Sequence, residues 1–436
     1  MEDRDPKEVV RHLTRYGALL VAAGGVTGAL NLLFNVVVAR RGGAANYGAI
    51  GSLLTVVTVV GIVATGLQYG IARQAVLSSG ASRNLASAAL RSLVPWAAAA
   101  LVLAMLFWPL SGFLRLSSLA PVVLIIGVAV VSVFGAGVSG LLVGFQRFRV
   151  IAAIGVGAAA LRLALGFLVG RGPDAVTFTL TISLVGLVAS FLVGLLFLTV
   201  GKRAVLARPP APEVARGAED GGATRLLGAV MAGALWTIWG LPVLFARHLL
   251  NPSAAGDFAA AQLLAGALIW GTAPLVTAFF PTIARLRSRG TFLYGEAATL
   301  VLALAGAAAL STLGPLLVER LYGTDFLASR SLLVVLSVSA SATACATFAT
   351  WSAMAGKTHV GPVLAALLVA LGTEVAWDLL GAHTAIALAA APAVSLILGG
   401  TAFATIARAR IRPSADSVSL SRESVGPSPA ALEGER

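Results

Sequence analysis

The stretch VVVARRGGAANYGAIGS, residues 36–52, places two arginines and a glycine-rich turn between two long apolar runs. A related stretch, VLFARHLLNPSAAGDFAAA, follows at residues 243–261. Each flanking run is long enough to cross a bilayer, which takes about 20 apolar residues in a helix. We interpret both stretches as short turns between transmembrane helices, and their recurrence indicates that one unit is used twice.

The composition of the whole chain supports a membrane protein. Of its 436 residues, 58% are hydrophobic and 11% are charged, whereas soluble domains carry about 25% charged residues. Apolar runs that can span a membrane are predicted at residues 17–39, 48–71, 94–114, 119–143, 151–169, 176–200, 226–245, 258–283, 293–318, 329–355, 360–381 and 384–407. The predicted fold class is an all-α polytopic membrane protein with about 12 transmembrane helices.

The excess positive charge follows the predicted topology. The net charge is +13, and most of the 31 Lys and Arg residues fall at the two termini and in the loops on the same side of the membrane. Positive charge concentrates on the cytoplasmic side, so both termini are predicted to be cytoplasmic. We expect no nucleic-acid partner. The Ala-, Gly- and Arg-rich composition suggests a bacterial protein of the inner or plasma membrane.

Residues for metal, cofactor or disulfide chemistry are scarce. The one cysteine, Cys345, lies inside a predicted span, and the four histidines have no HExxH-like spacing. The first sixteen residues carry both signs of charge, and the run behind them exceeds the core of a cleaved signal peptide. We therefore expect an uncleaved first span and no disulfide, metal or cofactor.

The polar segments divide the chain into two halves. Residues 1–16 are predicted to form a cytoplasmic N-terminus, 201–225 a flexible cytoplasmic linker and 412–436 a disordered cytoplasmic tail. The linker separates an N-lobe, 17–200, from a C-lobe, 226–411, with six spans in each. An even number of spans gives both lobes the same orientation, related by a pseudo-two-fold axis along the membrane normal around a central cavity.

The two halves share a ladder of residues at similar intervals. Ala39-Arg40 pairs with Ala246-Arg247 in this ladder. The later rungs pair Arg73 with Arg285, Gly112 with Gly323 and Gly144 with Gly356. The chain is therefore predicted to contain an internal repeat.

Several of these motifs carry a family resemblance. VVVARRGGAANYG, GLQYGIARQAV, GFQRF, FPTIARLRS and LYGTDFLASRSLLVVLSVSA resemble the polysaccharide transporter (oligosaccharide flippase) family of the multidrug/oligosaccharidyl-lipid/polysaccharide (MOP) flippase superfamily. That family commonly has Leu-Gly-Pro where this chain has Arg41-Gly42-Gly43. The resemblance implies two six-helix lobes facing a cavity that opens alternately to either side. It also implies transfer of a polyprenyl-pyrophosphate-linked oligosaccharide from the inner to the outer leaflet, with polymerase or glycosyltransferase partners.

Charged residues inside the spans are the sharpest functional candidates, because burying charge in a membrane is costly. Arg162 follows Gly144 at the same interval as Glu374 follows Gly356, so the repeat places them at equivalent positions with opposite charge. Arg162 is predicted to attract a pyrophosphate. Glu374 and Asp378 share a helix face and are predicted to bind protons or Na⁺. The alternative for all three is a structural partner within their own lobe.

Other polar and aromatic residues are predicted to line the cavity or to pack helices. Asn31 and Asn35 share one helix face with Gly24 and Gly28, which suits either a wet surface or a close helix contact. Trp236 could stack on a sugar or belong to the core. The remaining substrate-binding candidates are Arg40, Gln68, Arg73, Arg247, Gln262 and Arg285.

Three classes of function compete at this level. The favoured class is a flippase for a lipid-linked oligosaccharide or a similar polar lipid. The second is a MATE-type antiporter that couples small organic cations to protons or Na⁺, for which Glu374 and Asp378 are the best support. A membrane-embedded glycosyltransferase or polymerase is disfavoured because no predicted external loop is large enough to carry catalytic acids. We therefore expect a transporter and no enzyme activity.

Overall fold

The structure is a computed structural model that describes residues 6–77, 93–94, 97–98, 108–116, 118–145, 147–172, 174–200, 221–286, 289–356, 360–380 and 384–410. These residues form helices joined by turns, with no strand among them. The helices are α1 Pro6–Gly42, α2 Ala44–Leu77, α3 Trp108–Phe113, α4 Ala120–Gly144, α5 Phe148–Gly166, α6 Ala175–Val200, α7 Gly221–Leu249, α8 Pro252–Leu286, α9 Arg289–Tyr322, α10 Arg330–Gly356, α11 Val360–Leu380 and α12 Ala385–Arg410.

The helices confirm the predicted fold class of an all-α polytopic membrane protein. Ten of those described are long and apolar enough to cross a membrane. Most of the predicted third span, 94–114, lies outside the described residues, as do residues 201–220 of the linker and the tail from residue 411. Valine- and isoleucine-rich segments such as α4 are helical because backbone groups in lipid must find hydrogen-bond partners within their own segment.

Within each half, the helices pair in the same pattern. In the first half α1 packs on α5, α2 on α4, and α6 on both α4 and α5. In the second half α7 packs on α11, α8 on α10, and α12 on both α10 and α11. The helix numbers in each pair of the second half are those of a pair of the first half plus six. The two lobes therefore have the same internal arrangement, as the repeat predicts.

The turn between α1 and α2 is shorter than the sequence suggests. α1 ends at Gly42 and α2 begins at Ala44, so only Gly43 separates them, with a φ of 78°. Glycine reaches this left-handed region without the penalty that a Cβ would bring. The end of the bundle that carries this turn and the corresponding α7–α8 turn is called the turn end below.

Left-handed residues also terminate α3 and α9 at the turn end. Arg115 follows α3 with a φ of 51°, and Gly323 follows α9 with a φ of 100°. The amide of Gly323 donates to the carbonyl of Glu319 at 2.9 Å, which closes the last helical turn. Structurally Gly323 therefore corresponds to Arg115, and the predicted match with Gly112 is wrong by one helical turn.

The lobes meet through close helix contacts at the turn end. α2 packs against both α7 and α8 of the second lobe. A Cβ on Gly48 would lie 3.0 Å from the Cβ of Ala255, and a Cβ on Gly51 would lie 2.7 Å from that of Ala259. A Cβ on Gly256 would collide with the carbonyl oxygen of Ala44. Small residues thus let α2 and α8 approach closely enough to close the bundle here.

Candidate functional site

Arg162 lies inside the first lobe, where α5 meets α1 and α6. Its guanidinium donates to Asn31 Oδ1 at 3.1 Å and to Ser183 Oγ at 3.3 Å, and lies 4.7 Å from the ring centre of Phe34. Its Nε is buried without a partner. Among the described residues no carboxylate forms an ion pair with it. Neutral polar groups and an aromatic face therefore compensate this half-buried cation.

Glu374 and Asp378 form a buried acidic pair inside the second lobe. Their exposed fractions are 0% and 1%. Ser395 on α12 donates to Glu374 Oε2 at 2.6 Å, while Glu374 Oε1 and both Asp378 oxygens have no partner among the described residues. Burying carboxylates without hydrogen-bond donors is costly, so this site favours a bound cation or a proton. Its oxygen ligands suit a hard cation.

These two charged sites occupy corresponding positions in the two lobes. Ser183 follows Arg162 along the chain at the same interval as Ser395 follows Glu374. In each lobe the serine on the sixth helix bonds to the charged residue on the fifth helix. The sequence predicts the position and the opposite charges, and the structure adds the serine partner.

The two asparagines of α1 are bonded within the first lobe. Asn31 accepts the bond from Arg162. Asn35 donates to the carbonyl of Asn31 at 2.9 Å and accepts a bond of 3.3 Å from the hydroxyl of Tyr47. Of the two alternatives for this stripe, helix contact accounts for both asparagines in the described conformation.

Gln68 lines a cavity of about 180 Å³ between α2, α4 and α6. Hydroxyl groups give the cavity much of its polar wall. The lining residues are Gly61, Ala64, Thr65, Gln68, Val131, Ser132, Gly135, Ala136, Ser139, Leu187, Ser190 and Phe191. The arrangement of one carboxamide and several hydroxyls can bind a neutral polar group.

Arg40 and Arg247 lie at the turn end, each bonded to the other lobe. Arg40 Nε donates to the carbonyl of Leu321 at 2.5 Å, and its Nη2 donates to the carbonyl of Arg320. Arg247 Nε donates to the carbonyl of Leu114 at 3.2 Å. Both arginines therefore cap C-terminal turns of the third helix of the opposite lobe, where a cation is electrostatically favoured.

Trp236 and Gln262 lie where α7 meets α8. The Trp236 ring is half-buried and tilted against Trp270, with 4.8 Å between ring centres. Gln262 is buried, and its Nε2 donates to the carbonyl of Trp239 at 2.5 Å while its Oε1 has no partner. Gln262 thus offers an unsatisfied acceptor, and Trp236 an aromatic edge.

Two sequence candidates remain, Arg73 and Arg285. Arg73 and Arg285 fall in the helical segments of α2 and α8, but their side chains lie outside the described residues. Among the described residues no group of three or more His, Cys, Asp or Glu is placed to hold a metal ion.

Sequence reasoning missed one half-buried acid, Glu296. It lies near the beginning of α9 and hydrogen-bonds to the thiol of Cys345 on α10. Its Oε2 is buried without a partner. A single glutamate inside the apolar run 293–318 is the signal that would have found it.

The two lobes are in close contact on one side, where α7 meets α2, and not on the other, where α1 and α8 lie. On the closed side, α7 packs tightly on α2. A Cβ on Gly233 would lie 2.9 Å from the side chain of Val63, and a Cβ on Gly240 would lie 2.6 Å from that of Thr55. The corresponding residues of α1 are Val26 and Leu33, which are 49% and 46% exposed. No extensive contact joins the described parts of α1 and α8. The lobes are therefore in close contact along α2 and α7 but not along the described parts of α1 and α8.

Sequence comparison finds no match, whereas structural comparison finds solved structures of similar fold. The sequence matches no protein-family profile and no curated protein sequence. An inward-facing multidrug-resistance MATE family transporter of the MOP superfamily is similar over 92% of this chain and 100% of its own, with a TM-score of 0.65 and 15% identity. The lipid II flippase MurJ in an inward closed conformation is similar over 90% of this chain and 87% of its own, with a TM-score of 0.63 and 12% identity.

A third solved structure shows a weaker likeness. An outward-facing MATE family transporter of the same superfamily is similar over 91% of this chain and 95% of its own, but with a TM-score of 0.50 and 13% identity. At these identities the likeness describes the fold. The chain is thus a multi-pass membrane protein with the fold of the MATE and MurJ transporters of the MOP superfamily.

Proposed function

We propose that this protein is an alternating-access flippase that moves a polyprenyl-pyrophosphate-linked oligosaccharide, or a similar polar lipid, from the inner to the outer leaflet for cell-surface polysaccharide biosynthesis. The observation that carries this proposal is the lack of extensive contact between the described parts of α1 and α8, in contrast to the packing of α2 on α7. We interpret it as a lateral opening between these two helices. A lipid-linked cargo must keep its hydrocarbon chain in the bilayer while its headgroup crosses. A cavity open to lipid on one side meets that requirement, whereas a fully enclosed cavity does not.

Two features of the first lobe suit such a cargo. Val26 and Leu33 present exposed apolar side chains on the α1 side, which fit an acyl or prenyl chain. The carboxamide and hydroxyls around Gln68 suit sugar hydroxyl groups. The residues proposed to contact substrate are Asn31, Asn35, Arg40, Gln68, Arg73, Arg162, Trp236, Arg247, Gln262 and Arg285.

Arg162 can bind the pyrophosphate of the cargo with its terminal nitrogens only if α1 moves. A guanidinium fork matches a pyrophosphate well, but in the described conformation both of its terminal nitrogens are bonded inside the first lobe. Release of the Asn31 bond would free one nitrogen for an anionic group. In this proposal the movement of α1 therefore exchanges an internal partner for the cargo.

The coupling site in this proposal is the buried pair Glu374 and Asp378. Binding of Na⁺ or protons there neutralises two carboxylates that otherwise lie unpaired in a low-dielectric interior. A ligand shifts a conformational equilibrium by its difference in affinity for the two states. Cation binding in one conformation and release in the other would thus drive the lobes between inward-open and outward-open states.

Orientation follows from the charge distribution. With both termini in the cytoplasm of a bacterial cell, the turn end faces outward. The described conformation, closed at the turn end, is then the inward-facing state. Polymerases or glycosyltransferases that supply or consume lipid-linked units are the proposed partners.

The second candidate is a MATE-type antiporter of small organic cations. The buried acids favour it, since a carboxylate pair can bind either the coupling ion or an organic cation. It does not require the opening between α1 and α8. Cargo identity therefore separates the two candidates.

The decisive experiment uses a deletion strain of the native host. Polyprenyl-linked oligosaccharides are quantified by mass spectrometry, together with the surface polysaccharide. Accumulation of one lipid-linked unit with loss of one surface polymer, both restored by the intact gene, supports the flippase and identifies its cargo. Unchanged lipid and surface pools combined with greater sensitivity to cationic drugs would instead establish the antiporter.

A further inference from the structure

We propose that Arg40 and Arg247 are the two arms of a reciprocal latch that holds the lobes together at the turn end, and that its release is the step that opens this end. The latch rests on the lobe movement of the proposed function. It extends that function by assigning both arginines to gating, a role that does not depend on contact with the cargo.

The first arm runs from the first lobe to the second. Arg40 in the last turn of α1 donates from two nitrogens to the carbonyls of Arg320 and Leu321 in the last turn of α9. Carbonyls at a helix C-terminus lack partners within the helix and carry a partial negative charge. The guanidinium fork satisfies two of them at once, which only the closed arrangement permits.

The second arm runs in the opposite direction. Arg247 in the last turn of α7 donates to the carbonyl of Leu114, just past α3, and its Nη1 donates to the carbonyl of Ala45 at 3.4 Å. His248 strengthens this arm, since its ring stacks on Phe113 at 4.2 Å and its Nδ1 lies 2.9 Å from the Phe113 carbonyl. Both arms thus join the first helix of one lobe to the end of the third helix of the other.

A buried aromatic contact lies beside the first arm. Tyr47 of the first lobe packs against Tyr322 and Phe326 of the second, with ring centres 6.1 and 5.9 Å away. Tyr322 directly follows the two carbonyls that Arg40 caps. Separation of the lobes must therefore break the arginine bonds and expose this apolar contact together, which makes closure cooperative.

The chain supplies a matched control in the neighbouring residue. Arg41 has the same charge and belongs to the same helical turn, but its Nε donates to the carbonyl of Val169 at 3.0 Å, within its own lobe. Its bond does not need to break when the lobes separate. A latch therefore predicts different effects for Arg40 and Arg41, whereas general surface charge predicts equal ones.

The test measures the distance between the lobes at the turn end. Spin labels are attached to cysteines at Leu168 and Leu380, which are equivalent in the two lobes and 65% and 83% exposed, in a Cys345→Ala background. Electron paramagnetic resonance then gives the distance distribution in the purified full chain, and no cargo is needed. We expect Arg40→Gln and Arg247→Gln each to raise the ratio of the longer-distance to the shorter-distance population about three- to tenfold. In the double variant this ratio should rise by about the product of the two single increases. Arg41→Gln should match the parent.

The outcomes separate the latch from its alternatives. Unchanged distributions in both single variants, or an equal shift in Arg41→Gln, would overturn the proposal. If the glutamine variants do not elute as folded protein, Arg40→Lys retains the charge but replaces the fork by a single ammonium. It should then open the turn end to an intermediate degree, and a parent-like distribution contradicts the latch. A normal lipid-linked pool in the deletion strain would refute the flippase and leave the distance result standing.

Discussion

Ser395 donates a 2.6 Å hydrogen bond to Glu374, and the corresponding serine of the first lobe, Ser183, accepts one of 3.3 Å from Arg162. The same pair of positions thus holds an anion in one lobe and a cation in the other. The first lobe carries a permanently attached positive charge at this position. In the proposed function the carboxylates of the second lobe take their positive partner from solution, so we expect this lobe to respond to the surrounding cations or protons.

The first prediction concerns cation stabilisation by Glu374. Na⁺ bound at this site should raise the melting temperature of the purified protein, since a ligand at 100 times its Kd stabilises the binding state by about 2.7 kcal/mol. Glu374→Gln should abolish that increase because the amide keeps the shape and the bond from Ser395 but not the charge. Thermal scans with Na⁺, and with an equal concentration of K⁺ as the control for ionic strength, measure this increase.

A proton at the same site predicts a different pattern. Acidification, and not Na⁺, should then stabilise the parent, because protonation removes the unpaired buried charge. The exposed acid Asp174 provides the control variant, Asp174→Asn, which should keep the response of the parent. A parent and a Glu374→Gln variant that respond identically to both Na⁺ and acid would exclude the site from coupling.

The second prediction concerns Arg162 as a support for α1. Arg162→Ala removes the bonds to Asn31 and Ser183 and leaves a cavity beside Phe34, which should cost about 2–4 kcal/mol. Arg162→Lys retains the charge but cannot reach both partners in fork geometry, so its loss should be smaller. Melting temperatures of the two variants measure the difference. Equal stability of Arg162→Ala and the parent would show that this cluster does not hold α1 in place.

The third prediction concerns the crossing of α2 and α8. Gly256→Ala should prevent closure of the turn end, because the added Cβ collides with the carbonyl oxygen of Ala44. Gly61→Ala on α2 is the control, since a Cβ there meets nothing within 4 Å, and alanine is the better helix former. Spin-label distances at the turn end should lengthen in the first variant and stay unchanged in the second. A closed distribution in Gly256→Ala would contradict the close crossing.

The fourth prediction concerns the end of α3. Arg115 holds a φ of 51°, in a region that costs most residues about 1 kcal/mol or more relative to glycine. Arg115→Gly should therefore raise the free energy of unfolding by about 0.5–1 kcal/mol. At the equivalent position of the second lobe, Gly323, glycine is already present. A thermal shift assay detects the increase. Gly323→Ala should change stability in the opposite direction, and two shifts of the same sign would refute the structural equivalence.

The fifth prediction concerns the opening between α1 and α8. Gly240 contacts Thr55 across the closed side, and the repeat makes Leu33 and Leu263 the corresponding pair on the open side. Cysteines at Leu33 and Leu263 should not form a disulfide in the described conformation. A bifunctional crosslinker that bridges them should block cargo movement, measured as accumulation of the lipid-linked unit in cells. Rapid disulfide formation without a linker would show that this side is closed.

Much of the fold followed from local composition. Apolar runs of sufficient length must be helical in lipid. The ends of α4–α6 and α10–α12 therefore lie within three residues of the predicted spans, and those of α2 and α7–α9 within six. α1 begins at Pro6, well before the predicted span at residue 17, because charged residues flanking a span continue its helix. The repeat of Arg40 with Arg247 was visible because each copy needs the same turn. The equivalent positions of Arg162 and Glu374 in the two lobes were predicted from the same repeat.

Partners across the bundle depended on the tertiary structure. The sequence determined that two arginines lie at helix ends, but only the packing of the lobes decided that Arg40 caps α9 and Arg41 stays within its own lobe. It also decided that α7 closes on α2 while α1 stands away from α8. Adjacent arginines have the same local chemistry, and the equivalent helices α1 and α7 are both apolar spans. Their different contacts arise from the relative position of two lobes, which no periodicity within either lobe records.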